Sequence, residues 1–65
     1  MPEITINMAV GRTDEQKKGM MVDITAALVK NLGVEPDAVV IQINEAPLQH
    51  KMKGGKTYLE RQKKA

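Results

Sequence analysis

The chain predicts a small α+β protein built on a strand–helix–strand (β-α-β) unit. Three observations carry that reading. Residues 3–10 alternate in polarity, Thr13 to Gly33 carries a capped apolar stripe at helical spacing, and residues 38–45 form a second apolar, β-branched run. Two strands joined through a helix are expected to lie parallel, with a right-handed crossover.

The first strand is read from its period of two. Ile4, Ile6, Met8 and Val10 face one way, and Glu3, Thr5, Asn7 and Ala9 the other. Gly11 breaks the run. Thr13 then opens the helix, with Gln16 three residues on to complete a capping box, and Asp14 and Glu15 suit the positive helix N-terminus. Met20, Met21, Ile24, Ala27, Leu28 and Leu32 recur at three- and four-residue steps, widened by Val22, Ala26 and Val29. Lys30 lies in the last turn and Gly33 is the C-cap candidate. Gly19 is a weak helix residue, a candidate for close backbone approach. Pro36 and Asp37 mark a turn before the second strand, where Val39, Ile41 and Ile43 share a face and which Pro47 stops. Gly54-Gly55 signals a tight turn. Thr57-Tyr58-Leu59 fits either a short strand or the start of a terminal helix.

Size and charge bound the function. At 65 residues the chain is one small domain, residues 1–65, with a basic tail over 55–65. Domains of this size are marginal alone and are supported by disulfides, metals or association. There is no cysteine, and His50 is the only histidine. Disulfides and thiolate metal sites are therefore excluded, no obvious zinc set is left, and association is the expected support. Topology points the same way: one helix covers one face of a two-stranded parallel sheet and leaves the other bare. No run approaches the ~20 apolar residues of a membrane span. The first residues lack the basic and apolar regions of a secretion signal, which with the absent cysteines fits a cytoplasmic protein. The net charge of +2 divides into −3 over residues 1–50 and +5 over residues 51–65. That basic end suits an anionic partner, whether a carboxylate substrate, nucleic acid or an acidic neighbouring subunit. Lys63 and Lys64 read more simply as a solvated terminus.

Pro2 is the leading candidate for chemistry. If Met1 is removed, Pro2 carries a secondary amine on a rigid ring. An α-amino group titrates near ~7.7–8.0, so a modest downward shift makes it a neutral general base. The alternative is a plain strand-entry proline. Arg12 lies at the other end of the first strand, roughly 30 Å away at ~3.3 Å per residue. If both act on one substrate, Arg12 comes from another subunit.

In combination these residues resemble the 4-oxalocrotonate tautomerase family of the tautomerase superfamily. The matching features are Pro2 behind Met1, the alternating strand, and Gly11-Arg12-Thr13-Asp14-Glu15-Gln16-Lys17. Leu32-Gly33, the Val39–Glu45 strand and Gly54-Gly55 complete the match, which covers roughly residues 2–58. The resemblance implies a β-α-β tautomerase fold with a C-terminal hairpin, assembled as a hexamer, commonly a trimer of dimers. It implies a cofactor-independent tautomerase of small 2-hydroxydienoate or 2-oxo acids, with no metal. Pro2 is then the base, and Arg12 the binder of substrate carboxylate, a task its planar fork suits.

Two family positions differ. The family's second active-site arginine falls on Val40, and its active-site aromatic on Lys51. Lys51 and Lys53 lie in the turn region that lines the site in relatives. A cation there could bind the substrate oxyanion and depress the amine pKa by like-charge repulsion; the simpler reading is an exposed hairpin tip. A water-activating carboxylate of haloacrylate dehalogenases falls about where Lys53 stands, which ranks dehalogenation below tautomerisation. His50 in a polar loop reads as a bystander. Two further readings remain: a tautomerase-fold oligomer without activity, or a small basic-tailed binding protein. Nucleic acid is an unpromising partner, since base-stacking aromatics are nearly absent.

Overall fold

A computed structural model describes residues 2–62. Met1 and the tail residues Lys63 and Lys64 lie outside the described residues, and with them the readings placed there. The order is β1 (Glu3–Ala9), α1 (Asp14–Leu32), β2 (Val40–Ala46), β3 (Met52–Lys53), β4 (Lys56–Thr57) and α2 (Tyr58–Gln62). Short 3-10 turns stand at Pro36–Ala38 and Leu48–His50.

β1 and β2 pair in parallel, from Glu3 opposite Val40 to Ala9 opposite Ala46. This register puts Ile4, Ile6 and Met8 on the same face as Ile41, Ile43 and Glu45. β1 is one residue shorter than its alternation: Val10 sits in a bend, although its N–H still donates to the Ala46 carbonyl at 3.0 Å. β2 begins two residues later than the apolar run suggests. Pro36 suits a tight first turn, and the 3-10 turn it opens takes the amides of Ala38 and Val39, which donate to Glu35 and Pro36 carbonyls. The strand then runs on to Ala46, where Pro47 ends it.

The capping box forms as the Thr13–Gln16 spacing predicts. The Gln16 amide donates to Thr13 Oγ1 at 3.1 Å, and the Thr13 amide to Gln16 Oε1 at 3.0 Å. Gly33 ends α1 in the left-handed region, with its amide on the Val29 carbonyl. That conformation suits glycine because a Cβ there meets the backbone. Met20, Met21, Ile24, Leu28 and Val29 are half-buried over the sheet, whereas Val22, Ala26, Ala27 and Leu32 are exposed. The apolar stripe is wider than two strands can cover. Gly19 faces open space, so no close approach within the protomer explains it.

Gly54 and Gly55 both have positive φ, as a two-residue hairpin turn of the primed type requires. β3 and β4 form that hairpin. The stretch left open between strand and helix is both: Lys56–Thr57 pairs, and Tyr58 starts α2. Part of the presumed tail, from Gly55 to Gln62, is thus folded. The hairpin and α2 pack mainly on one another and on Leu48–His50, forming an arm beside the β-α-β body. Among the described residues none is fully buried. No helix of the described residues is long and apolar enough to cross a membrane.

Candidate active site

The three regions that the sequence singles out stand at different places in the protomer. At the start of the sheet, Pro2 is half-buried and its carbonyl accepts the Val40 amide at 3.1 Å. Proline cannot donate to a ladder, but its carbonyl can accept, so Pro2 makes the first rung and its ring is anchored to β2. Val40 is therefore brought beside Pro2 through the backbone. Val40 is 42% exposed and its side chain offers only apolar surface at the position where the resemblance implies a second arginine.

At the other end of β1, the Gly11–Thr13 link carries Arg12 to the start of α1. Arg12 lines a cavity of about 260 Å³ with Met8, Gln16, Lys17 and Met20. Among the described residues it has no carboxylate partner. A guanidinium and two methionines in one lining suit a small anion with a hydrocarbon body. The carboxylates nearby are engaged by Lys17. Its Nζ donates to both Glu45 oxygens at 3.0 Å and lies 3.5 Å from Asp14. The Lys17 side chain is 17% exposed. The hydrogen bond to Glu45 holds the Lys17 ammonium above its ordinary pKa, with partial burial opposing and the charges of Glu45 and Asp14 adding. Glu45 stands opposite Met8 in the sheet, so this pair ties the first turn of α1 to the end of β2 behind the Arg12 cavity.

The arm holds Lys51 and Lys53. Lys51 is half-buried, and its Nζ lies 5.6 Å from the centre of the Tyr58 ring. The Tyr58 amide donates to the Lys51 carbonyl at 2.7 Å. Lys53 is exposed, and its carbonyl accepts Arg61 Nη2 at 3.1 Å. Thr57 and Glu60 form a second capping box: the Glu60 amide donates to Thr57 Oγ1 at 3.1 Å and the Thr57 amide to Glu60 Oε1 at 2.7 Å. His50 is exposed in its 3-10 turn.

Within one protomer the fold thus joins Pro2 to Val40, and Lys51 and Lys53 to α2. It does not bring Pro2 into the cavity lined by Arg12. The seven residues of β1 separate them, about 20 Å of extended chain. Tyr58 and Arg61 are the contributors that the sequence reading missed. The Thr57-x-x-Glu60 spacing, the same pattern that marks Thr13, signals the start of α2 but not the contacts these two side chains make. A second cavity of about 280 Å³ lies between Lys18, Met21, Val22 and Thr25 of α1, Val39, and Ile41 of β2. Among the described residues no three His, Cys, Asp or Glu side chains gather as metal ligands.

Comparison with known proteins bears on the fold and the family. The family model described as tautomerase enzyme matches residues 2–60. The probable tautomerase of Bradyrhizobium diazoefficiens is 82% identical, over 94% of this chain and 91% of its own length. Among solved structures, one of the 4-oxalocrotonate tautomerase isozymes from Methylibium petroleiphilum superposes with a TM-score of 0.90 at 44% identity. That match covers 98% of this chain and all of the other. A heterohexamer 4-oxalocrotonate tautomerase from Chloroflexus aurantiacus gives 0.84 at 32% identity, over 92% of this chain and 97% of its own. The family-model match over residues 2–60 and the 82% identity to a probable tautomerase, on a β-α-β body with a C-terminal hairpin, place this chain in the tautomerase family.

Proposed function

We propose that, with Met1 removed, the protein is a cofactor-independent tautomerase of small 2-hydroxydienoate or 2-oxo acids, working as an oligomer. The observation that carries this is the placement of Arg12, an arginine without an ion-pair partner among the described residues, on an apolar-floored cavity. In this reading the Pro2 nitrogen takes the proton of the substrate's enol hydroxyl. The O–H pair becomes the new C=O, the double bond shifts, and a substrate carbon takes the proton back from Pro2. Nothing is oxidised or reduced, so no cofactor is needed. Arg12 of a neighbouring subunit binds the carboxylate bidentately. Lys51 and Lys53 face the oxygen that becomes anionic as its proton leaves, and their charge keeps the Pro2 amine neutral at working pH. With Val40 in place of a second arginine, a substrate with one carboxylate fits better than one with two. A hexamer is the assembly favoured by the resemblance and by the heterohexamer among the relatives.

The test starts with the mass of the mature protein, which is expected to lack Met1. Ketonisation of phenylenolpyruvate and 2-hydroxymuconate is then followed by absorbance. Phenylenolpyruvate, with one carboxylate, is expected to be the better substrate. Pro2→Ala is expected to lose about 10²–10⁴-fold in kcat, the usual contribution of a positioned general base. Processed protein that ketonises neither compound, or a Pro2→Ala variant as active as the parent, overturns the reading.

A further inference from the structure

We propose that Tyr58 is a positioning residue: its ring holds the Lys51 ammonium in place and leaves its charge free for an anion. The inference rests on the reading above in which Lys51 faces the substrate oxyanion. Its own support is the geometry of the arm. Lys51 Nζ stands 5.6 Å from the Tyr58 ring centre, within cation–π range. The same two residues are joined by the Tyr58 amide on the Lys51 carbonyl at 2.7 Å. Arg61, one turn further along α2, donates to the Lys53 carbonyl at 3.1 Å. Lys51 and the backbone of Lys53 are therefore held from α2, and α2 is itself fixed by the capping box of Thr57 and Glu60.

The contrast with Lys17 shows what a ring does that a carboxylate cannot. Lys17 is held by two oxygens of Glu45, which neutralise it as an anion binder. A lysine has a flexible four-carbon stem, and an ammonium that must meet a developing oxyanion needs holding. A carboxylate holds it at the cost of its charge. An aromatic face attracts the ammonium through its quadrupole, carries no net charge, and leaves the N–H donors available. The chain has a single aromatic residue, and that residue stands at this lysine.

The single aromatic also makes the test specific. Tyr58→Phe creates a chain with one phenylalanine, so fluorinated phenylalanines supplied during expression enter at position 58 alone. Stepwise fluorination drains the ring face while largely keeping its shape, and far-ultraviolet circular dichroism checks that the fold is retained. Taking Tyr58→Phe as the reference, we expect kcat and kcat/KM on phenylenolpyruvate to fall together with each added fluorine. The total loss expected is roughly two- to fivefold. In a Lys51→Met background the same series is expected to be flat. If Lys51→Met lowers kcat but fluorination has no effect, the proposal for Tyr58 fails while the role of Lys51 stands. If Lys51→Met is as active as the parent, the reading of Lys51 fails and takes this one with it. A ring acting only as packing would give the same slope in both backgrounds, which also overturns the proposal.

Discussion

Two cations meet at the Arg12 cavity, and only one is free. Lys17 is spent on Glu45 and Asp14, whereas Arg12 has no carboxylate partner among the described residues. The difference can be read from pH. Lys17's folded-state pKa lies above its ordinary 10.5, chiefly through the hydrogen bond to Glu45. A group whose pKa is raised by folding contributes stability that is complete below its unfolded pKa and lost as pH rises through the folded one. Lys17→Met is therefore expected to be less stable than the parent near neutral pH. The gap should close well above pH 10.5, once the ammonium is lost. Urea denaturation at neutral pH and in strong alkali measures it; a gap that persists unchanged in alkali removes the pair as its cause. Pro2 and Arg12 were legible in the chain because each stands at a landmark, the start of a strand and the glycine that ends it. Tyr58 and Arg61 were not. A lysine–ring contact and a side chain on a backbone carbonyl depend on how a hairpin folds back, and no spacing rule encodes that.

At the level of elements, caps and turns were the most legible features. Thr13 with Gln16, Gly33, and Gly54-Gly55 each specify a local backbone geometry that needs no distant partner. Strand limits were less so. The hydrophobic run at 38–45 is real, but Pro36 diverts its first residues into a 3-10 turn, and pairing with β1 starts where the Val40 amide finds the Pro2 carbonyl. α2 was half legible because five residues hold no apolar period. The Thr13 cap has consequences for the site, since α1 begins two residues after Arg12, with only the cap between. Thr13→Ala removes the Oγ1 that accepts the Gln16 amide, leaves the residue-13 amide free to donate to Gln16 Oε1, and is expected to cost about 1 kcal/mol. It should also loosen Arg12. Denaturant titration gives the first effect and the KM for an enol monocarboxylate the second. An unchanged midpoint would mean that α1 is held by its packing alone.

The dimensions of the whole molecule argue for neighbours. The Cα radius of gyration is 15.3 Å, against roughly 11 Å for a compact chain of this length. The accessible surface is 5170 Å², against about 4100 Å² for a folded monomer of this mass. Nothing described is fully buried, and Val22, Leu32 and Met52 are each more than half exposed. Covering these surfaces with copies of itself would stabilise such a chain, in keeping with the oligomer proposed above. The separation of Pro2 from Arg12 turns that inference into a test of the site. If each site takes Pro2 from one subunit and Arg12 from another, Pro2→Ala and Arg12→Ala are each inactive alone but complement each other. In a randomly mixed assembly made by unfolding and refolding equal amounts, a site is intact when the first subunit carries the Arg12 change and the second the Pro2 change. That happens in about one site in four, so roughly a quarter of parental activity is expected to return. Mixing without refolding should return less, in proportion to how slowly subunits exchange. A site contained within one chain would return nothing under either protocol, because every subunit then lacks one of its two groups. Recovery near a quarter would place the shared site between subunits, as the length of β1 requires.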